Sequence, residues 1–430
     1  MKKFGKYLFL IPTLLLSSCN FTFNYIIDGL AGGGDFGGDI WEDDSGLDDS
    51  GSYDIKIWVD ESIEDITRSQ IGSFVSAYGN KYTINAQIEP MSEANAASSM
   101  LQDVEKGADI FCFAQDQLAR LKVAGAITKI TGSLATYLKE KNSEDSISAA
   151  SLNDNLFAFP TTSDNGYFLY YDKRVVSDSE ATNMTSLLSA LKRNKKLLNF
   201  EGRSNGFYAA SYFLGTGCHS TWTIDEKKGK FIRYDDNYNS ENGVIAGKAI
   251  REIADSSVVA TKSYVTDQAG AVISGIWEYE SCRETFGENN LGCAELPYFT
   301  VDGQNYHMGS FDGYKLMGVK PQRDNKKASV CRKLAQFLTN SASQLERFHT
   351  VSWGPTHVEA SQDPEVLTHQ GLAALAKQHE FATQQGQCPG AWFVALQTTA
   401  TAITSSSTDD QIRGYLATYE AGLPELLSED

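Results

Sequence analysis

Three tryptophans in this sequence stand beside glycine or proline residues, where the chain turns and a side chain can project into a cleft. Trp277 lies in Ser-Gly-Ile-Trp, Trp392 in Pro-Gly-Ala-Trp and Trp353 in Ser-Trp-Gly-Pro. A flat aromatic face matches the apolar C–H face of a pyranose ring, and carboxylates and amides can hydrogen-bond the hydroxyl groups at its edge. The pattern favours sugar binding, most of all at Trp277. The alternative for each tryptophan is an ordinary place in the core.

Two aspartates, Asp116 and Asp164, are candidates for the polar part of such a site. Their ordinary alternatives are a helix N-cap and a turn residue. A glycosidase would need two carboxylates about 5 to 10 Å apart, which sequence spacing cannot show. Gly-x-Ser-x-Gly, His-Glu-x-x-His and phosphate-binding glycine loops do not occur. We therefore expect a binding protein without a cofactor rather than an enzyme.

The cysteines give no metal or catalytic pattern. None of the seven forms Cys-x-x-Cys or pairs with histidine at metal-binding spacing, so a zinc site is not expected. Cys282 and Cys293 flank a Gly/Asn-rich turn. Among the six cysteines other than Cys19, they are the two that lie closest in sequence. A disulfide between them and two buried free thiols are equal alternatives.

The start of the chain has the composition of an export signal. A lysine-rich beginning leads into a ten-residue apolar run at 7–16, too short to span a bilayer as a helix, which needs about 20 residues. Leu16-Ser17-Ser18-Cys19 follows at once and resembles a bacterial lipoprotein lipobox, in which the cysteine is acylated. We predict a signal at 1–19, lipidation at Cys19 and a protein anchored by lipid to the cell membrane, outside the cytoplasm.

Residues 20–53 differ in composition from the rest of the chain. They hold eight acidic residues, eight glycines and no lysine or arginine, a composition that buries too little apolar surface to fold. We predict an acidic, glycine-rich tether. The chain as a whole has a formal charge of −18, which argues against nucleic acid as a partner because lysine and arginine supply most of that affinity.

The folded body is organised around the stretch 156–172, LFAFPTTSDNGYFLYYD. Two aromatic-rich strand patterns flank the polar break Thr161–Gly166, and Pro160 fixes the backbone where the first strand ends. We interpret the break as a crossing between two lobes, with Asp164 at the mouth of a cleft. The length of 430 residues also suits two lobes better than one core.

Strand and helix patterns alternate before this crossing, which is typical of βαβ units and a parallel sheet. Apolar runs at 55–59, 84–88 and 108–113 are separated by helical patterns of 10 to 15 residues. Ligands of such sheets gather at the carboxyl ends of the strands. We therefore expect Asp60, Glu61, Phe113 and Asp116 near one edge of the first lobe.

Several motifs in fixed order resemble those of a known family. They are IKIWV, GADIFCFAQDQLARLKVAGAITKI, LFAFPTTSDNGYFLYYDK, AGAVISGIWEY and GAWFVAL, and they extend from about Tyr53 to Leu427. Each is weak alone, but their order and spacing resemble the bacterial extracellular solute-binding proteins of family 1. These are the maltose-binding-protein-like receptors of ABC importers. The resemblance implies an α/β, periplasmic-binding-protein-like fold of type II with a central cleft and a hinge.

The resemblance also assigns ligand contacts. Phe113 matches an aromatic residue at the end of the third strand, and Asp116 matches a sugar-binding aspartate. Asp164 takes the position of a sugar-binding glutamate. Trp277 and Trp392 match two stacking tryptophans.

Other positions depart from the family pattern. Gln117 stands where the family has an arginine beside the aspartate, and Leu396 stands where a second binding arginine is found. A lysine near the first strand has no clear match, although Glu61 is nearby. Tyr208 lies where the alignment is loose, and a stacking aromatic is expected there. Because cationic contacts of the family are missing at these positions, the resemblance does not establish maltose as the ligand.

The sequence thus predicts a substrate-binding lipoprotein that captures an oligosaccharide between two lobes. Lobe 1 is predicted at 54–163 and 313–340, and lobe 2 at 164–312 and 341–430. The lobes close about strands near 162 and 312. The expected partners are the oligosaccharide, the permease subunits of an ABC transporter and the membrane, with the protein acting as a monomer.

Two alternatives stay open. The same fold could bind a peptide, a polyamine or a metal complex, and a polyamine would suit the acidic body although it calls for several carboxylates around the cleft. A surface glycan-degrading enzyme or a glycan-adhesion module is the second alternative.

Overall fold

A computed structural model of the chain describes residues 40–41, 45–225 and 230–427. The predicted signal, Cys19 and most of the predicted tether lie outside the described residues. The strands are β1 Gly51–Val59, β2 Tyr82–Pro90, β3 Ile110–Ala114, β4 Ser151–Leu152, β5 Asn155–Leu156, β6 Phe159–Thr162, β7 Phe168–Asp172, β8 Leu197–Asn199, β9 Ser220–Asp225, β10 Lys230–Asp236, β11 Val259–Ala260, β12 Ala269–Ser274, β13 Leu291–Ala294, β14 Tyr298–Val301, β15 Gln304–His307, β16 Ser310–Asp312, β17 Lys315–Val319 and β18 Ala382–Gln384.

The helices alternate with these strands. They are α1 Glu64–Ala77, α2 Ala96–Gln102, α3 Leu118–Val123, α4 Gly132–Lys141, α5 Glu144–Ala149, α6 Asp178–Ala181, α7 Met184–Arg193, α8 Gly206–Gly215, α9 Glu241–Ile253, α10 Tyr279–Phe286, α11 Asn325–Leu338, α12 Ser341–Val351, α13 Pro364–Thr368, α14 Gln370–Gln378, α15 Gly390–Ala402 and α16 Asp409–Leu426. None of the helices among the described residues is both long enough and apolar enough to cross a bilayer.

The first lobe is built on a sheet with the strand order β2-β1-β3-β17-β6. The strands β1, β2 and β3 are parallel, which confirms the βαβ prediction, whereas β17 runs antiparallel to both β3 and β6. Every residue of β3, β6 and β17 is buried, as expected for central strands covered on both faces. The return strand β17 therefore brings its first residue to the carboxyl end of β3.

The second lobe is built on a sheet with the order β11-β8-β12-β7-β13. Strands β8, β11 and β12 are parallel, and β7 pairs antiparallel with β12 and β13. One face of this sheet packs on α7, α8 and α9 with the late helices α15 and α16, and the other face packs on α10 and α14. The first of these faces has a hydrophobic core of its own, whereas the face toward α10 and α14 is continuous with the core of the first sheet.

The chain passes between the two sheets at three places. The first is the 162–168 break between β6 and β7, as predicted, and the second is the short return from β16 to β17. The third follows α12, because α12 packs on α1 and α11 whereas α14 packs on β7 and β13. Three crossings between two separate sheets are the arrangement that permits hinge motion.

One boundary differs from the sequence-based expectations. Helix α12 packs with the first lobe, although residues from 341 onward were assigned to the second, because Gln70 on α1 donates to the Ser343 carbonyl at 3.0 Å. Outside the two large sheets, β9 and β10 form a β-hairpin, and so do β14 and β15.

The end of the predicted tether is also structured. Strand β1 begins at Gly51, and Asp49 is buried against α11, where its carboxylate pairs with Lys333 at 2.8 Å and accepts hydrogen bonds from Ser329 and Tyr82. The amino-acid composition did not predict this ordered segment. The pairing joins one buried aspartate to a lysine 284 residues away, and such a pair produces no local pattern in the sequence.

Candidate functional site

The carboxyl ends of the first three strands meet at one edge of the first sheet, as predicted. Met91 donates its backbone N–H to the Val59 carbonyl at 2.8 Å, and Ala114 donates to the Glu93 carbonyl at 3.3 Å. The residues that follow β1, β2 and β3 are thereby gathered together. Lys315 joins them because it pairs in register with Ala114 on one side.

Lys315 is the residue that sequence reasoning missed. Its side chain is only 4% exposed, and its Nζ lies 3.8 Å from the ring centroid of Trp353 and 5.3 Å from that of Trp277. The Glu93 Oε2 atom lies 3.9 Å from Nζ. An ammonium group over two indole faces is stabilised by the ring quadrupoles. The available signal was a charged residue opening the otherwise apolar strand KLMGV.

The carboxylates near Lys315 are buried as well. Glu93 is 7% exposed and its Oε1 atom has no hydrogen-bond partner. Burial raises the pKa of Glu93, and the nearby Lys315 cation opposes that shift. A buried carboxylate oxygen without a partner is costly, and such atoms are commonly found where a ligand binds.

Asp164 is buried near this cluster and is not exposed at the mouth of the cleft. It is 0% exposed, and its two oxygens accept hydrogen bonds from Thr162 Oγ1 and from the Gly354 backbone N–H, both at 2.6 Å. Burial raises the pKa of Asp164. The carboxylate therefore ties the first crossing to the segment after α12, and a ligand contact by Asp164 stays a prediction.

Asp116 and Gln117 have different environments although they are adjacent. Asp116 is 6% exposed, its Oδ1 has no partner, and burial raises its pKa to about 7 against the opposing effect of Arg120. Gln117 accepts from the Ala97 N–H at 2.9 Å and donates to the Glu93 carbonyl at 2.8 Å. Gln117 thus holds the strand ends together, whereas Asp116 keeps a free acceptor.

The segment 382–388, which we term the strap, crosses from the second lobe to this edge. Gln387 accepts from the Ala119 N–H at 3.0 Å and donates to the Gln115 carbonyl at 2.7 Å. Gln385 accepts from Asn165 Nδ2 at 2.9 Å. The strap therefore hydrogen-bonds both the end of β3 and the first crossing.

In the second lobe, Trp277 is the predicted residue that is brought to the cluster. It lies in a short 3₁₀ turn directly after β12 and is partly exposed. Its ring lies over Gly275, where a Cβ atom would come within 2.2 Å of the ring, so glycine is required there. Glu278 follows and accepts from the Val265 N–H at 2.8 Å, and burial raises its pKa.

Trp392 is turned away from the cluster. It is 3% exposed, and its Nε1 donates to Tyr419 Oη at 2.7 Å, which in turn donates to Asp236 Oδ2 at 2.7 Å. Its neighbour Phe393 is partly exposed, and Leu396 is fully buried. The core alternative thus describes the observed position of Trp392.

The remaining predicted residues take up varied positions. Tyr208 is buried beside Ser274, with 3.4 Å between the two hydroxyl oxygens, and burial raises its pKa to about 12. Its neighbour Phe207 is partly exposed and stacks on Phe311. Phe113 is buried in the first core, and Glu61 is exposed in the turn after β1. Within the described part of the chain, the side chains that surround the Lys315 ammonium are those of Glu93, Trp277 and Trp353 and not these residues.

The cluster combines groups that are suited to binding a polar solute. Among the described residues, no group of three or more histidine, cysteine, aspartate or glutamate side chains could hold a metal ion. The six described cysteines are all free thiols, and five are buried. Trp277 offers an aromatic face beside a buried ammonium and a carboxylate with a free oxygen, which is the mixture that polar, ring-shaped solutes require.

Comparisons with known proteins support this picture. The family described as bacterial extracellular solute-binding protein matches residues 73–374. A comparison with curated protein sequences found no match.

Solved structures resemble the chain over most of its length. A protein solved with acarbose is 23% identical, with a TM-score of 0.75 over 88% of this chain and 100% of that one. The maltodextrin-binding protein MalE1 from L. casei BL23, solved without ligand, is 20% identical, with a TM-score of 0.70 over 88% and 100%. The GacH receptor of Streptomyces glaucescens GLA.O is 16% identical, with a TM-score of 0.69 over 87% and 98%. At these identities the likeness shows the fold.

Proposed function

Because the chain belongs to the bacterial extracellular solute-binding proteins, which act outside the cytoplasm, we propose that it captures an oligosaccharide between its two lobes and delivers it to the permease of an ABC importer. The observation that carries the proposal is the position of Trp277. It is a partly exposed aromatic face of the second lobe that reaches Lys315 of the first lobe.

The names of similar structures support the choice of ligand. Their descriptions include acarbose, maltodextrin and maltotetraose. Aromatic faces with polar groups at their edges match the alternating apolar and hydroxyl surfaces of pyranose rings. Asp116, Glu93 and Lys315 supply the polar groups, and Phe207 and Phe393 are further partly exposed aromatic residues.

The mechanism we propose is binding followed by closure. The ligand contacts both lobes and thereby stabilises the closed arrangement over the open one. The permease then receives the ligand from the closed protein. No bond is broken, so the chain acts as a receptor and not as an enzyme.

The proposal extends to the anchor and the assembly state. Lys2, Lys3 and Lys6 followed by an apolar run and Cys19 support acylation at Cys19. The protein then works as a monomer attached by lipid to the outer face of the cell membrane. Radiolabelled palmitate incorporation that is lost in Cys19→Ser tests the anchor.

The ligand is tested by calorimetric titration of the chain without its first 35 residues, because residues from Phe36 on form one compact unit. The panel contains malto-, xylo-, manno-, fructo- and galacto-trisaccharides, together with spermidine and a tripeptide. We expect saturable binding of one glycan class. Trp277→Ala should weaken it about tenfold or more, which is about 1.4 kcal/mol, because the stacking face is removed.

The matched control is Trp222→Phe, which removes a buried tryptophan of the β9–β10 hairpin and should leave affinity within twofold. Binding of spermidine or the tripeptide in place of every glycan would overturn the carbohydrate assignment. The buried carboxylates Glu93, Asp116 and Asp164 give the polyamine alternative its specific support.

A further inference from the structure

We propose that Lys315 and Glu93 form a polar dyad that binds two neighbouring hydroxyl groups of a neutral saccharide, with the ammonium donating to one and the carboxylate accepting from the other. This inference rests on the proposed function and specifies how that site selects its ligand. It assigns the main polar recognition to the end of β2 and to the first residue of β17.

The first step is that both groups are buried and incompletely paired. The Nζ–Oε2 distance of 3.9 Å is well beyond the roughly 2.7–2.9 Å of a charge-assisted hydrogen bond. The Oε1 atom of Glu93 has no hydrogen-bond partner, and within the described part of the chain Lys315 Nζ has an ion-pair contact and ring contacts but no hydrogen bond. Burying such groups without partners is costly. The dyad therefore holds donor and acceptor capacity that a ligand can use.

The second step concerns the direction from which a ligand can approach. The indole of Trp353, itself buried, covers one side of the ammonium at 3.8 Å, and the indole of Trp277 lies on the second-lobe side at 5.3 Å. A sugar ring that packs on the exposed part of the Trp277 indole would present its equatorial hydroxyl groups at the ring edge. Neighbouring hydroxyls on such a ring match a donor and an acceptor that lie about 4 Å apart, since each hydroxyl both donates and accepts.

The third step is the local charge, which selects against acidic sugars. Asp60 and Asp164 lie close enough to Glu93 to act on it as like charges, while Lys315 is the cation that acts on it. Asp164 is already held by Thr162 and Gly354 and so offers little further hydrogen bonding. A carboxylate or phosphate on the ligand would be repelled by Asp60 and by the ionised forms of Glu93 and Asp164, which offset the attraction of Lys315. The dyad therefore suits uncharged hydroxyl groups.

The experiment is a double-mutant cycle measured by calorimetric titration with the trisaccharide panel, using Lys315→Met, Glu93→Gln and the double variant. For the trisaccharide that the wild type binds, we expect each single variant to lose at least tenfold in affinity. The double variant should lose much less than the product of the two losses, because both groups hold one pair of hydroxyls. A version of that sugar oxidised to the uronic acid should bind the wild type at least tenfold more weakly than the neutral sugar.

The control is Lys320→Met, which removes a lysine just beyond the other end of β17 whose Nζ donates to the Glu105 and Gly107 carbonyls. It should leave affinity unchanged. Thermal unfolding of each variant shows whether it folds. If Lys315→Met does not fold, the ligand affinity of Glu93→Gln, which preserves side-chain size, tests the dyad alone.

The outcomes separate the two proposals. If Trp277→Ala abolishes glycan binding while Glu93→Gln and Lys315→Met bind within twofold of the wild type, the dyad is wrong and the receptor function stands. If no glycan binds the wild type, the proposed function fails and the dyad fails with it. Preference for the uronic acid over the neutral sugar would also overturn the dyad.

Discussion

At the scale of single residues, the site is defined by acidic groups that are held out of water. Burial raises the pKa of Asp116 to about 7 and also raises the pKa values of Glu93, Asp164 and Glu278. A carboxyl group whose folded-state pKa lies above its unfolded value favours the folded protein only while it is protonated. Burial of these groups therefore lowers the free energy of unfolding at pH values where they ionise in the unfolded chain.

Asp116 provides a test of this cost. Below about pH 4 it is protonated in both the folded and the unfolded state; as the pH rises toward 7 only the unfolded state loses the proton, so the free energy of unfolding falls. Asp116→Asn removes this effect. We expect the variant to match the wild type near pH 4 and to be more stable by about 1 to 4 kcal/mol at pH 8, at about 1.4 kcal/mol per pKa unit.

The measurement is the free energy of unfolding by urea at pH 4, 6 and 8. Arg120 is the cation that opposes the shift, and the buried Cys388 lies near both Asp116 and Arg120. A stability difference that does not change with pH would show that Asp116 is ionised in the folded protein throughout.

At the scale of secondary structure elements, the rotation of helix α15 determines which of two adjacent aromatic residues is buried. Successive residues of an α-helix point about 100° apart, so Trp392 and Phe393 cannot share a direction. The hydrogen-bond chain from Trp392 through Tyr419 to Asp236 ties α15 to α16 and β10. This chain fixes the rotation of the helix and turns Phe393 outward.

Trp392→Phe tests this assignment. The change leaves the Tyr419 hydroxyl without its donor and should lower the free energy of unfolding by about 1 to 3 kcal/mol. Because Trp392 is buried away from Lys315, ligand affinity should change by no more than twofold. Urea unfolding and calorimetric titration with the bound trisaccharide measure the two effects, and a tenfold loss of affinity with unchanged stability would place Trp392 at the ligand.

The elements themselves could largely be predicted from the sequence, because runs such as IKIWV and FLYYD carry strand periodicity locally. The position of Trp277 was also predictable, because the glycine break that precedes it is a local feature of the sequence. The direction of Trp392 was not, since it depends on contacts with Tyr419, which lies 27 residues away. Lys315 was missed because its partners Glu93, Trp277 and Trp353 come from three distant segments, and only the antiparallel return of β17 brings them together.

At the scale of the whole molecule, the strap joins the two lobes by hydrogen bonds. Gln387 bonds backbone groups of Gln115, which follows β3, and of Ala119 on α3, and Gln385 bonds Asn165 in the first crossing. We expect a ligand that enters between the lobes to compete with these contacts, so that its apparent affinity depends on how often the strap is released.

Gln387→Ala should favour the open arrangement of the ligand-free protein. The loss of two hydrogen bonds, each contributing about 0.5–1.5 kcal/mol, should shift the equilibrium roughly tenfold. We expect a larger radius of gyration in small-angle scattering and faster amide exchange at residues 115–119.

The matched control is Gln384→Ala, because Gln384 lies on the same strap but donates to Asp312, its partner in the β16–β18 pairing. It should leave both readouts unchanged. Equal opening by the two variants would mean that the strap acts through its general conformation and not through Gln387.

The buried pairing of Asp49 with Lys333 determines where the chain is fastened to its body. Since the residues before Asp49 lead toward Cys19, the proposed lipid anchor would be attached to the body through the first lobe. Strand β1 and helix α11 would then carry any force applied through the tether. Capture of a ligand would be a movement of the second lobe and Trp277 relative to the tethered lobe that holds Lys315.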